Sequence, residues 1–246
     1  MESSYYQEYA ELETSHWWFK ARLEILSTFV NSNISETSNI LNTGIATGQT
    51  TRMLEKYGRV TSLEYDKDCC EYLRKTMKID VIEGSLTDLP FLDQSFDLVC
   101  AFDVIEHIED DYQALNEIRR VLKKSGFALI TVPAFQFLWS EHDVINQHYR
   151  RYNANDLKKR INSGMEIQYL SYFNSILFPP VLMARLVRKL IGGNKTTTAT
   201  SDFQYFKGNN LINQILYQIF RIEKKLVGRI KMPFGISVIA LCSPAK

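Results

Sequence analysis

Ile40-Leu41-Asn42-Thr43-Gly44-Ile45-Ala46-Thr47-Gly48 is the stretch on which the fold turns. With Ser38 and Asn39 ahead of it, its first half reads as a short buried strand, and Thr50 to Tyr57 reads as the helix that follows. The glycines between them let the backbone turn tightly and approach a ligand closely. Free amides at the start of such a helix favour an anionic group. A dinucleotide fingerprint requires glycines at 44, 46 and 49, and Ala46 and Gln49 break that pattern.

Working outward, short apolar runs alternate with longer amphipathic ones. Arg59 to Tyr65 reads as a second strand, Asp68 to Met77 as a helix and Ile79 to Glu83 as a third strand. Ser95 to Phe102 (SFDLVCAF) has the near-continuous apolar character of a strand buried on both faces. Asp110 to Lys123 carries Tyr112, Leu115, Ile118 and Leu122 at helical spacing, Ser125-Gly126 reads as its stop, and Phe127 to Val132 as the fifth strand. Such alternation implies parallel strands joined by right-handed crossovers, with helices on both faces of the sheet. Ligands in these sheets bind beyond the carboxyl ends of the strands.

Upstream, His16 to Val30 reads as an amphipathic helix. Downstream, Asn155 to Asn162 reads as a short helix and Glu166 to Phe173 as a sixth strand. A helix opens around Pro179-Pro180 and runs through Arg188, residues 192–201 form a polar connection, Leu211 to Leu226 is amphipathic, and Ile236 to Cys242 closes the chain as an apolar strand. The organisation expected is an N-terminal helical segment (1–36), a core (37–175), a helical insertion or lid (176–232) and a final core strand (233–246).

The chain has 246 residues, with 45% hydrophobic and 23% charged residues, ordinary values for a soluble globular protein. Cys69, Cys70, Cys100 and Cys242 lack metal-ligand spacing and read as buried thiols in a reducing compartment. With no leader-like N-terminus and no run of about 18 apolar residues, the expected location is the cytoplasm. The net charge of +1 hides a split: residues 1–147 hold 13 Lys+Arg against 24 Asp+Glu, while residues 148–246 hold 16 against 4. The basic half either meets something anionic or complements the acidic half. The basic amphipathic stretches around Ile176–Ile191 and Leu211–Leu226 fit a lid, a homodimer contact or peripheral contact with the inner membrane face. No nucleic-acid-binding motif accompanies them, so nucleic acid is not an expected partner.

The order strand, Gly44–Gly48 turn, helix, Glu64 at the end of strand two, Gly84-Ser85-Leu86 after strand three, then Leu89-Pro90-Phe91 through Val99 and Asp103-Val104-Ile105-Glu106-His107-Ile108 resembles the class I S-adenosylmethionine-dependent methyltransferases. Further segments, His16 to Arg22, Trp139-Ser140-Glu141-His142-Asp143, His148 to Tyr152, Tyr172 to Ser175 and Pro233 to Ser237, are similar to a bacterial subgroup of type 11 methyltransferases associated with glycan and other small-molecule pathways. The resemblance implies a Rossmann-like, doubly wound seven-stranded sheet, mostly parallel, with an antiparallel last strand. It also implies S-adenosylmethionine as cofactor and S-adenosylhomocysteine as product.

By that resemblance Gly44, Ala46 and Gly48 line the methionine part of the cofactor, and Glu64 binds the ribose hydroxyls. Tyr65 packs on the adenine, Ser85 and Leu86 flank its edge, and Asp103 lies near the methionyl group. Arg22 is a candidate partner for the cofactor carboxylate, or else part of a solvated helix face. Two positions depart from the pattern: Asn42 stands where the family has an acid, and Ala46 where it has a glycine. An alanine fits there only if its backbone angle is not left-handed and the ligand has slack, and binding is expected to be weakened rather than lost.

Methyl transfer to a hydroxyl calls for positioning and a general base. His142 is the first candidate, oriented by Asp143 or Glu141, and His107 is the second. Glu106 is a further candidate, and Arg150 with Arg151 could meet an anionic acceptor. Direct displacement needs no metal, and none is expected. The expected reaction is O-methylation of a small-molecule or glycan-like acceptor. Its rivals are a binding protein that kept the fold without turnover, and a methyltransferase acting on a lipid-linked acceptor.

Overall fold

The computed structural model describes residues 3–32, 38–190 and 211–245, so the 192–201 connection lies outside the described residues. The strands are β1 (Ser38–Thr43), β2 (Gly58–Glu64), β3 (Ile82–Glu83), β4 (Phe96–Phe102), β5 (Leu122–Pro133), β6 (Met165–Phe173) and β7 (Ser237–Pro244). They form one seven-stranded sheet in the order β3-β2-β1-β4-β5-β7-β6. β1 pairs in parallel with β2 and β4, β2 with β3, and β4 with β5. β7 inserts antiparallel between β5 and β6, with Ala128 opposite Cys242 and Tyr172 opposite Val238. The sheet is therefore the mostly parallel, doubly wound one expected, with its last strand antiparallel.

β4 is buried from Leu98 to Phe102 because both of its faces are covered. On one face, α5 (Asp111–Val121) and α7 (Ala154–Ile161) bury Leu115, Ile118, Leu157 and Ile161. On the other, α2 (Trp17–Asn31) buries Ile25, Leu26 and Phe29 against Ile40, Leu98 and Cys100. α9 (Leu211–Arg221) adds Phe220 to that second core. α1 (Ser3–Ser15), which lies in the expected N-terminal helical segment but ahead of the helix read from His16 to Val30, brings Tyr6 into a third cluster with α4 (Lys67–Tyr72).

Two boundaries differ from the sequence reading for visible reasons. β3 is only two residues long, because Ile79 and Val81 pack into the cluster with Leu73 instead of pairing with β2. β5 begins at Leu122 directly after α5, since Leu122 already pairs with Phe96. Gly126 is then a strand residue: a side chain there would meet the Phe96 and Asp97 carbonyl oxygens at 3.0 Å.

Part of the basic half is answered within the chain. Asp111, buried at the start of α5, receives Arg150, Arg160 and the Tyr152 hydroxyl. Glu24 on α2 receives Lys224 at 2.8 Å and Arg221 at 3.4 Å. No helix among the described residues is long and apolar enough to cross a membrane. Exposed apolar side chains do gather on α8 (Phe178–Leu190), at Met183, Leu186 and Val187, and on α9, at Leu211, Ile212 and Ile215.

Candidate active site at the carboxyl edge of the sheet

The carboxyl ends of β1, β2, β4 and β5, roofed by α1 and the start of α2, enclose a cavity of about 1300 Å³. The turn after β1 forms one wall. Gly44 and Gly48 take positive φ angles of 59° and 87°, and α3 (Gln49–Leu54) starts directly after Gly48. A side chain at Gly44 would come within 2.6 Å of Val104, so the glycine allows the turn to close on the loop after β4.

Ala46 sits at φ 47°, inside the left-handed region, so the condition under which an alanine would fit here without strain is not met. Its amide donates to Glu64 Oε2 at 3.2 Å, and its carbonyl accepts the Cys69 thiol at 3.1 Å. Those bonds hold an angle that costs an L-residue roughly 1–2 kcal/mol.

Glu64 also accepts the amides of Tyr65 at 2.9 Å and Asp66 at 3.1 Å, so the end of β2 is pinned with its carboxylate at the cavity edge. Burial raises its pKa in spite of the three amides. Tyr65 projects beside it, 77% exposed. Ser85 bonds Thr87 through their hydroxyls, and Leu86 packs into the core while touching the cavity.

The roof carries an acid and a base. Arg22 of α2 is buried and bridges to Asp103 at 2.8 Å and Thr131 at 3.0 Å, while Thr131 donates to Asp103 at 3.0 Å. Its Nε, also buried, has no hydrogen-bond partner. Glu13 of α1 accepts the Thr47 hydroxyl of the glycine turn, and its enclosure pushes its pKa up to about 7.

The cavity is also lined by three imidazoles and Glu106. His107 and His148 meet edge to face, 4.5 Å apart between ring centres, and His142 lies 6.1 Å from His148. Desolvation by the protein on one side of the ring, then the neighbouring His148, lowers the His107 pKa to about 4, although the residue keeps an exposed edge. Asp143, fully buried at the start of α6 (Glu141–Ile145), was expected to orient His142. Instead it accepts His148 Nδ1 at 2.9 Å and Arg151 Nε at 2.7 Å, and those partners hold its carboxyl well below the usual range. His142 contacts Asn146, whose Nδ2 lies 3.2 Å from its ring nitrogens.

Of the residues named from sequence, Arg22, Gly44, Ala46, Glu64, Tyr65, Ser85, Leu86, Asp103, His107 and His142 all line this one cavity. Asn42, Gly48 and Asp143 do not. Asn42 lies beneath the turn, donating to the Thr50 and Thr51 hydroxyls, so its amide supports the loop from below. Arg150 pairs with Asp111 instead of facing the cavity, while Arg151 reaches the wall through Asp143. Sequence reasoning missed Glu13, Tyr6 and Tyr9, which α1 brings over the turn. Their only signal was helical spacing of aromatic residues ahead of the first recognised helix.

Residues 41–130 match the family described as a methyltransferase domain. A protein of Mycolicibacterium smegmatis named "Probable S-adenosylmethionine-dependent methyltransferase" is 33% identical over 114 residues, covering 45% of this chain and 44% of that protein. The chain spans about half the length of the curated relatives it matches. Among solved structures, a chain from the Haloferax volcanii complex of the Trm112 methyltransferase activator aligns with a TM-score of 0.63 at 14% identity, over 99% of this chain and 95% of that one. A SAM-dependent methyltransferase from Thermotoga maritima aligns with a TM-score of 0.60 at 18% identity, over 99% and 98% of the two chains. Residues 41–130 are thus similar to a methyltransferase domain, and the fold is shared with solved proteins of the S-adenosylmethionine-dependent methyltransferase class. The cofactor of that class fits the residues present: a glycine turn, a carboxylate at the end of β2, and a buried guanidinium with a nitrogen still to be satisfied.

Glu13 gives the roof a pH dependence. Its folded pKa near 7 lies above the ordinary carboxylate value of 4.5, so its contribution to stability is fully present below about pH 4.5 and is lost as pH rises through 7. Glu13→Gln mimics the protonated form. Thermal unfolding of the two proteins from pH 5 to pH 8 is expected to show the variant gaining on the wild type as pH rises; parallel curves would refute the assignment.

Proposed function

We propose that this protein transfers a methyl group from S-adenosylmethionine to an oxygen of a small-molecule or glycan-like acceptor. The observation that carries the reading is that the glycine turn with Glu64 and the group Glu106, His107, His142 and His148 line one cavity. Bound S-adenosylmethionine supplies a methyl group on a sulfonium, which passes to the attacking oxygen while the carbon–sulfur pair returns to sulfur. The chain's part is to hold both partners in line and to receive a proton. Arg22 takes the cofactor carboxylate, Glu64 the ribose hydroxyls, and Tyr65 offers its ring to the adenine. His142 is assigned the acceptor's proton, with Asn146 fixing its ring.

Calorimetric titration with S-adenosylmethionine and with S-adenosylhomocysteine tests this directly. Micromolar binding is expected, weakened about tenfold or more in Glu64→Ala, since a hydrogen bond to a charged group contributes about 1.5–3 kcal/mol. A protein that stays folded and binds neither ligand at millimolar concentration would contradict it and favour a binding protein that has lost the cofactor.

One feature supports a lipid-linked acceptor within the same reaction. α8 lines the cavity with Val181, Ala184 and Arg185 and turns Met183, Leu186 and Val187 to solvent. An apolar surface next to a cavity wall suits an acceptor whose tail stays in a bilayer. Sedimentation with anionic liposomes at low salt is expected to carry the protein down, and to fail for Met183→Glu/Leu186→Glu. A protein left in the supernatant would contradict this reading.

A further inference from the structure

Glu106 is fully buried at the end of the loop after β4, and it lines the cavity. Neither of its carboxylate oxygens has a hydrogen-bond partner. A buried carboxylate without partners costs several kcal/mol or changes its charge state, so its neighbours decide what it is for. Two of them are imidazoles. One ligand atom each from Glu106, His107 and His148 lies within 4.8 Å of the other two.

The proton inventory of this triangle is informative. His148 uses Nδ1 on Asp143 at 2.9 Å, which leaves Nε2 as its other ring atom. Asp143 is held in turn by Arg151 at 2.7 Å and by the Ser140 amide at 2.8 Å. His107 likewise engages the Asn146 backbone. Each imidazole therefore has one nitrogen committed to an oxygen acceptor and turns a lone pair elsewhere. Glu106 bonds to neither ring, so the triangle is no hydrogen-bonded relay. The second ring nitrogens and the Glu106 carboxyl face one another across this short space; burial, then Asp103, raises the Glu106 pKa, so the carboxyl holds a proton that a bound cation replaces. A histidine whose far nitrogen is fixed by a carboxylate or a carbonyl is the usual support of a metal ligand.

We propose that Glu106, His107 and His148 form a binding site for one divalent first-row transition-metal ion. One carboxylate with two imidazoles suits Mn²⁺, Co²⁺ or Zn²⁺, whereas Mg²⁺ and Ca²⁺ favour all-oxygen sets. Metal–nitrogen bonds of about 2.0–2.1 Å require the three ligand atoms to draw together, and the exposed His107 ring is the one with room to turn. Three protein ligands leave positions open toward the cavity, where hydroxyl oxygens of an acceptor can coordinate and lose a proton to His142 more readily. That role rests on the proposed methyl transfer; the site itself does not. The sequence reading expected no metal because methyl displacement needs none, and it could not see that these three residues converge.

The test is metal binding by the whole chain without cofactor or acceptor. Chelator-stripped protein is titrated with Co²⁺ while its visible absorption is followed, and with Mn²⁺ and Zn²⁺ by calorimetry. The wild type is expected to bind one equivalent with ligand-field bands, and Glu106→Gln and His107→Asn each to weaken binding by about tenfold or more. His107→Asn changes an exposed side chain, which guards against a variant that merely misfolds. No stoichiometric binding at millimolar metal, or equal affinity in wild type and both variants, would overturn the proposal. Metal binding of the expected kind without any cofactor binding would uphold the site and remove its role in methyl transfer. Cofactor binding without metal binding would overturn the site alone.

Discussion

The ion pair between Arg22 and Asp103 sets the geometry on which the cavity depends. It joins a helix that precedes the sheet to the loop at the end of β4, and Thr131 of β5 closes the triangle. A guanidinium taken this far out of water needs its partners, because an unpaired buried charge costs several kcal/mol. Trp18 and Phe102 flank it at 5.2 and 5.8 Å and keep water away. Once α2 is fixed over the carboxyl edge, α1 can reach back across the glycine turn, where Glu13 meets Thr47 and Tyr6 meets Asp66. An ordinary open crevice at the end of a parallel sheet thus acquires a roof.

The part of the wall that carries His142 and His148 is organised by a second buried charge. Asp143 gathers His148, Arg151 and the Ser140 amide at the start of a five-residue helix too short to hold its place alone. The segment between β5 and α7 therefore takes its shape from a carboxylate. The imidazoles of that segment and of the loop after β4 come to share one space. Asp111 does comparable work outside the cavity by tying α5 to Arg150, Arg160 and Tyr152. These pairs show that part of the basic C-terminal half serves the protein's own acidic half.

Much of the fold was legible because it rests on local signals. The run Leu98–Phe102, buried on both faces, the spacing of Leu115 and Ile118, and the glycines at 44 and 48 each follow from backbone and burial rules that act over a few residues. The place of the candidate cofactor residues was legible for the same reason: Glu64, Ser85 and Asp103 lie at or just beyond strand ends, and all three line the cavity. What stayed hidden depends on contacts between distant segments. Asp143 adjoins His142 in sequence yet serves His148, since one turn of helix points successive side chains to different sides. Glu13 gave no sign, because its meaning comes from Thr47, 34 residues away. The left-handed angle of Ala46 likewise depends on Glu64 and Cys69, which hold it there from other segments.

The cavity beneath α1 and α2 is the proposed place of S-adenosylmethionine, held between the glycine turn and the roof. Hydrogen–deuterium exchange with and without saturating S-adenosylhomocysteine tests it most directly. Slower exchange is expected at the amides of Ile45 to Gly48 and along α1 together, because ligand would be held between the turn and the roof. Unchanged exchange in both segments, or protection confined to α8 and α9, would contradict it.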